Sequence, residues 1–173
     1  MLGQIGIYSL YITSIISVFL IFSSLFFKRN LDENFNSRIF SLISIQLFMV
    51  LLSFCCLIYA FIISDFSIET VFNNSHTNKP LFYKISGTWG NHEGSLLLWL
   101  LVLTIFLFIF FIYSKNLLFK YRLLTVFFQE IIILGFLLFI LFTSNPFSSL
   151  FPIPKEGNGL NPILQDPALA IHP

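Results

Sequence analysis

Charge is what this chain lacks most. Only 10% of its 173 residues are Asp, Glu, Lys or Arg, and the acids and bases nearly cancel to a net +1. A net charge near zero by itself names no partner, and no nucleic-acid partner is expected. Cysteine is nearly absent: Cys55 and Cys56 are the two, adjacent in the sequence. Neighbours on a helix point about 100° apart and would need a distorted backbone to bond, so both read as small apolar residues. Without a C-x-x-C the chain has no dithiol redox motif and no haem-attachment site of its own. Alanine occurs three times, as Ala60, Ala168 and Ala170. Proline is scarce before Thr143 and dense after it, Pro80 being the one exception among seven.

What fills the space is apolar: 57% of the residues, 24 of them Phe. The apolar residues run in four blocks, 5–27, 39–63, 96–113 and 123–142. A bilayer core of ~30 Å takes roughly 20 apolar residues as a helix, and the third block only just qualifies. Without water at that depth the backbone must satisfy itself, which dictates helix. The fold class is therefore all-α integral membrane, with four transmembrane helices and a Pro-rich outward-facing tail. The chain divides into a transmembrane region over 1–142, including an outer loop at 64–95, and a Pro-rich segment over 143–173. Phe and Ile where Ala would often serve suggest an AT-rich coding sequence, such as a mitochondrial genome or an AT-rich bacterium.

Charge placement sets orientation. Lys28, Arg29, Arg38, Lys115, Lys120 and Arg122 fall on one side, against Lys79, Lys84 and Lys155 on the other. The positive-inside rule puts both short loops inside, and the 64–95 loop and the tail outside, in periplasm or intermembrane space. The first block lacks a basic leader and is long enough to be a permanent span; no signal or transit peptide is evident. The loops "KRNLDENFNSR" (28–38) and "SKNLLFKYR" (114–122) read as solvated topology determinants. The stretch from Ser64 mixes polar residues with Phe66, Ile68, Val71 and Phe72, which suits a segment on the membrane interface, with a short amphipathic helix. The prolines after Thr143, with Gly157 and Gly159, exclude a fifth span there. The ending "AIHP" reads as a motif cut short, in a fragment or in one piece of a protein encoded in parts.

Few residues can carry chemistry. Glu130 is the single acid inside a predicted span; a polar contact between helices or a snorkelling side chain outweighs a proton relay. His76, in "NNSHTNKP", reads as a solvated loop histidine. The stretch "WGNHEGSLLLW" (89–99) reads as a Trp-anchored helix entrance. Gly90 and Gly94 allow close backbone approach, Asn91 or Ser95 caps, Glu93 sits at the positive helix end, and Trp89 and Trp99 suit the interface. That leaves His92 open between a structural and a functional role. His172 is held in an extended conformation by Pro173. Imidazole is a common haem ligand, although an interfacial histidine without a role fits the same letters.

Two elements, W-G-x-H-E-G-S-x-L-L-W at 89–99 and L-N-P-x-L-Q-D-P-x-x-x-I-H-P at 160–173, with "LFTSNPF" between them, resemble the N-terminal part of the CcmF family. These are membrane haem lyases of cytochrome c maturation. The likeness runs from about the second span onward. It implies haem as transferred substrate, received from the haem chaperone CcmE and joined to the C-x-x-C-H thiols of apocytochrome c. The partners it implies are a C-terminal CcmF part, a CcmH-type thiol protein and membrane lipid. His172 takes the position of a haem axial ligand, through the iron. Trp89, Gly90, His92, Glu93, Gly94, Ser95, Trp99, Asn161, Pro162, Gln165, Asp166, Pro167 and Pro173 are family-motif positions without an assigned chemical role. The family's Trp-rich segment, opposite histidine and second haem, a haem b, lie beyond these residues, so the chain is expected to be inactive alone. The alternative is a small polytopic transport or respiratory-complex subunit. It calls for several ionisable groups deep in the spans, where only Glu130 stands. The membrane would be the mitochondrial inner membrane or the bacterial cytoplasmic membrane.

Overall fold

A computed structural model describes residues 1–25 and 33–159. Its helices are α1 (Leu2–Leu25), α2 (Glu33–Ile63), α3 (Glu69–Asn74), α4 (Leu81–Gly87), α5 (His92–Tyr113) and α6 (Phe119–Phe142). Among the described residues α1, α2, α5 and α6 are long and apolar enough to cross a membrane. The all-α membrane class expected from the four blocks is thus observed. The helices extend past the apolar blocks at several ends, because polar residues such as Gln4 and His92 continue a helix that the membrane does not require. The short helix expected in the 64–95 loop is two, α3 and α4.

The four long helices close a ring in which α1 touches α2 and α6, and α5 touches the same two. Leu10, Leu20, Val50, Leu57, Leu97, Leu107, Ile133 and Leu137 fill its interior. Ile15, Phe19, Phe48, Phe106 and Phe128 point outward, as lipid-facing positions must. Lipid tails are as apolar as leucine, so burial gives little drive for helices to associate here. Close packing and polar contacts decide the arrangement instead.

The decisive polar contact is centred on Glu130, which is fully buried. Its Oε2 accepts from the Ser17 hydroxyl at 2.5 Å and from Gln46 Nε2 at 2.9 Å. Three helices, α1, α2 and α6, therefore meet at one carboxyl group. Of the two readings set together above a relay, the structure contains the inter-helix contact; snorkelling is ruled out by the zero exposure. Glu130 Oε1 and Gln46 Oε1 are buried without a hydrogen-bond partner.

Arg122 corrects the sequence reading. It belongs to α6, not to a solvated loop, and is almost fully buried. Its guanidinium donates to the Phe111 carbonyl at 2.8 Å, the Ser114 hydroxyl at 3.0 Å and Asn36 Oδ1 at 3.3 Å. It also lies 4.1 Å from the Phe111 ring centroid. A cation on the last carbonyls of α5 satisfies groups that a helix end leaves free and suits the negative helix terminus. The planar fork holds its three partners in fixed directions, where a lysine ammonium would act as a point charge.

At the opposite end, α2 stops at Ser64, which turns left-handed (φ 58°). The Asp65 N–H bonds back to the Ala60 carbonyl and the Ser64 N–H to that of Phe61, the paired closure of a Schellman turn. The chain is thereby turned over the top of the bundle into α3 and α4.

Glu130→Ala is expected to lower stability by about 1–3 kcal/mol, because Gln46 Nε2 then becomes a buried donor without a partner and the Ser17 hydroxyl keeps only the residue-130 backbone carbonyl, at 3.3 Å. Glu130→Gln, which keeps an acceptor and adds a donor, is expected to lose much less. Thermal unfolding of the purified protein in detergent checks both. Equal losses for the two variants would contradict the contact.

Candidate functional site at the loop end of the bundle

One end of the bundle carries everything distinctive in the sequence: the 64–91 loop, the start of α5 and residues 143–159. The junction of α4 and α5 is built by Asn91. Its backbone is extended (φ −134°, ψ 166°) and its Oδ1 accepts from the Gly94 N–H at 2.7 Å, the N-cap bond of α5. Its Nδ2 donates to the carbonyls of Gly87 at 2.7 Å and Thr88 at 3.2 Å. One amide side chain thus closes the end of α4 and opens α5. Of the two cap candidates, Asn91 fills the position; the Ser95 hydroxyl donates instead to the His92 carbonyl at 2.9 Å.

Gly94 has a steric reason. A Cβ there would overlap the Thr88 carbonyl oxygen, so only glycine lets the two helix ends approach this closely. Trp89 packs against the core, whereas Trp99 is 60% exposed on the outer face of α5. Glu93 stands in the first turn of α5. The Asn91 and Gly94 geometry therefore accounts for the polar letters of the motif except His92. That imidazole is exposed, with its ring edge-on to Phe139 at 6.2 Å between centroids.

His92 and Glu93 line a polar cleft of about 450 Å³ together with Glu69, Asn73, Asn91 and Asn145. A second cleft, of about 390 Å³, is lined by His76, Lys79, Tyr83 and Asn158. Burial, and secondarily Lys84, lowers the Lys79 ammonium from 10.5 to about 8. The same ammonium donates to the Asn74 carbonyl at 2.9 Å. Among the described residues no group of three or more His, Cys, Asp or Glu side chains could hold a metal ion. Cys55 and Cys56 are free thiols.

Residues 143–159 run back across this end without helix. Phe147 lies against Gly6 of α1, and Ile68 and Ser149 form an antiparallel bridge flanked by bonds from Glu69 N to Ser148 O and from Leu150 N to Ser67 O. Farther on, Glu156 accepts from both the backbone N–H and the hydroxyl of Thr77. These bonds, chiefly the hydroxyl's, hold the Glu156 carboxyl at about 2 rather than 4.5. The sequence reading missed this pair, since nothing in local spacing links positions 79 residues apart. Asn161, Pro162, Gln165, Asp166, Pro167, His172 and Pro173 lie outside the described residues.

Residues 89–173 match the family described as Cytochrome C assembly protein. The chain is 51% identical over 127 residues to the cytochrome c-type biogenesis protein CycK of Rhizobium meliloti, covering 72% of this chain and 18% of that protein. It is 45% identical over 122 residues to CcmF of Escherichia coli, covering 70% of this chain and 19% of that protein. The chain is CcmF-like, similar to the N-terminal part of these cytochrome c biogenesis proteins. A solved structure titled Cytochrome c Heme Lyase CcmF matches its fold with a TM-score of 0.76 at 22% identity, over 87% of this chain and 25% of that one. The CcmF-like chain thus spans about a fifth of the length of the curated relatives it matches.

Two outcomes follow for this end of the CcmF-like chain. Asn91→Ala is expected to cost about 1 kcal/mol as a lost cap, and Gly94→Ala about 1–3 kcal/mol through overpacking. Thermal unfolding ranks them, and a Gly94→Ala variant as stable as the parent would contradict the close approach. Glu156 has a folded value below its ordinary one, so its contribution is complete above 4.5 and lost as pH falls towards about 2. Hydrogen-exchange protection of the Thr77 amide, corrected for the intrinsic rate, should follow that window. Protection lost already well above 4.5 would contradict the bonds.

Proposed function

We propose that this chain is the N-terminal portion of a membrane haem lyase, and that His172 is one axial ligand to the iron of the haem being transferred. The single observation that supports the reading most is the likeness to CcmF and CycK proteins, with a family match over 89–173 that takes in both long motifs. Haem is the substrate, received from CcmE and joined to the C-x-x-C-H thiols of apocytochrome c. The loop end of the bundle faces the periplasm or intermembrane space, in keeping with six basic residues on one side against three on the other. The membrane is the bacterial cytoplasmic membrane, in keeping with relatives from bacteria, or the mitochondrial inner membrane.

The part this chain plays is positional. A histidine on the outer face fixes the iron and so the direction of the vinyl edge, which places it against the incoming thiols. The opposite ligand, the Trp-rich segment and the haem b belong to the C-terminal CcmF part, and a CcmH-type protein presents reduced cysteines, since the thiolate is the nucleophile. The transport-subunit alternative calls for free ionisable groups in the spans. Glu130 and Arg122, the buried charged residues described, are both engaged in helix contacts.

The test is to co-express this chain with the Trp-rich remainder, purify the complex and record its haem spectrum with and without His172→Ala. Removing even a supporting partner of a metal ligand costs ~10–100-fold in affinity, so loss of the ligand should reduce haem retention and cytochrome c maturation at least that much. Unchanged haem content, ligation and maturation would overturn the assignment.

A further inference from the structure

Two clefts open at the loop end, and the residues lining them differ in charge. Lys79 lines one. The other, of about 450 Å³, is lined by Glu69 and Glu93 and, among the described residues, by no Lys or Arg. Neither carboxylate has a hydrogen bond or ion pair to another described side chain. Both stand in the first turn of a helix, Glu69 in α3 and Glu93 in α5. An acid suits that position and marks no site by itself.

Two hydroxyls in the same cleft have no such explanation. Thr70 is 4% exposed and Ser144 6% exposed, and both line the cleft. Neither hydroxyl has a hydrogen-bond partner among the described residues. Buried hydroxyls are normally paired, because an unpaired one loses its water without replacement. The amides nearby are already engaged: Asn91 caps α5, and Asn145 Oδ1 accepts from the Phe147 N–H at 2.9 Å. What remains free is a set of oxygen acceptors, from two carboxylates and two hydroxyls.

The walls that carry them are fixed. Glu69 N–H donates to the Ser148 carbonyl at 2.8 Å, and the N–H groups of Thr143 and Ser144 both donate to the Phe139 carbonyl, at 2.9 and 3.2 Å. A site on fixed elements loses little freedom on binding. An anion would meet two carboxylates here. A metal ion lacks a set of three His, Cys, Asp or Glu ligands among the described residues. An ammonium is a point charge with three donors, whereas a guanidinium holds five in a planar fork that carboxylates accept in pairs. Acceptors spread over three chain segments suit the fork.

We propose that this cleft binds the guanidinium of an arginine side chain carried by a partner polypeptide. Free arginine presents the same group together with an α-carboxylate, for which the cleft offers no Lys or Arg. Within a polypeptide that carboxylate is a neutral amide. Glu69, Glu93, Thr70 and Ser144 supply the contacts, independently of any haem ligand.

The complex of this chain with its Trp-rich remainder, in neutral detergent, is titrated with fluorescent acetyl-Gly-Arg-Gly-amide and followed by anisotropy. Matching peptides carry lysine or citrulline, the neutral isostere of arginine, and free arginine is added as competitor. The arginine peptide should bind saturably, the lysine peptide more weakly, and the citrulline peptide at least about tenfold more weakly. Glu93→Gln, at a half-buried position, should weaken the arginine peptide about tenfold. Glu69→Gln, at an exposed one, should weaken it about threefold. Ser144→Ala should also weaken it, with complex yield and unfolding temperature unchanged in all three. Equal binding of the arginine and citrulline peptides overturns the proposal without recourse to any variant. Arginine-peptide binding that survives Glu69→Gln and Glu93→Gln combined overturns the site. Free arginine that binds more tightly than the peptide overturns the polypeptide as its source.

Discussion

A carboxyl group with no exposure, deep among apolar helices, is the constraint around which this bundle is arranged. In a bilayer core no water can satisfy Glu130, so its partners have to come from neighbouring helices. Ser17 and Gln46 supply them, and in doing so they fix the heights of α1, α2 and α6 relative to one another. Packing against lipid-like side chains would leave helices free to slide, since leucine on leucine differs little from leucine on lipid. Arg122 acts comparably at the other end, tying α6 to the end of α5 and to Asn36 of α2.

With the helix heights fixed, the chain segments that emerge at one end can only meet in one way. The turn at Ser64, the short helices α3 and α4, the Asn91 junction and the non-helical run from Thr143 form a polar cap on an apolar ring. Its hydrogen bonds are short-range at the junction and long-range between Thr77 and Glu156. The cap is where a haem-handling protein would need rigidity, because a ligand held loosely cannot direct a vinyl edge. The likeness to CcmF and CycK proteins gives this geometry its proposed use.

Much of the fold was legible in the sequence because the bilayer is a severe solvent. Runs of about 20 apolar residues have few alternatives to helix, and an Asn before His-Glu-Gly is a local cap signal. The same reasoning found Glu130 conspicuous and left a helix contact and snorkelling open together; the buried bonds to Ser17 and Gln46 are the contact. It could not name Ser17 or Gln46, which lie 113 and 84 residues away, because serine and glutamine in an apolar run carry no mark of which helix they face. Arg122 was misread for a related reason: a basic residue near a span end suits a solvated loop, and only the position of Phe111 and Ser114 reveals what it binds. Of the motif 89–99, the glycine and asparagine were readable as backbone devices, while His92 was left unassigned and the structure shows it at the surface beside a polar cleft.

The polar cap is completed where the 156–159 segment is held on the loop between α3 and α4. Asn158 Nδ2 lies 3.4 Å from Asn73 Oδ1, and both residues can be exchanged for cysteine in a chain whose own Cys55 and Cys56 are replaced by serine. A short thiol-to-thiol cross-linker applied to the assembled membrane complex should then join Asn73→Cys to Asn158→Cys in high yield, with haem retention preserved. Failure to cross-link, or a cross-link that forms only when haem retention is lost, would contradict that placement.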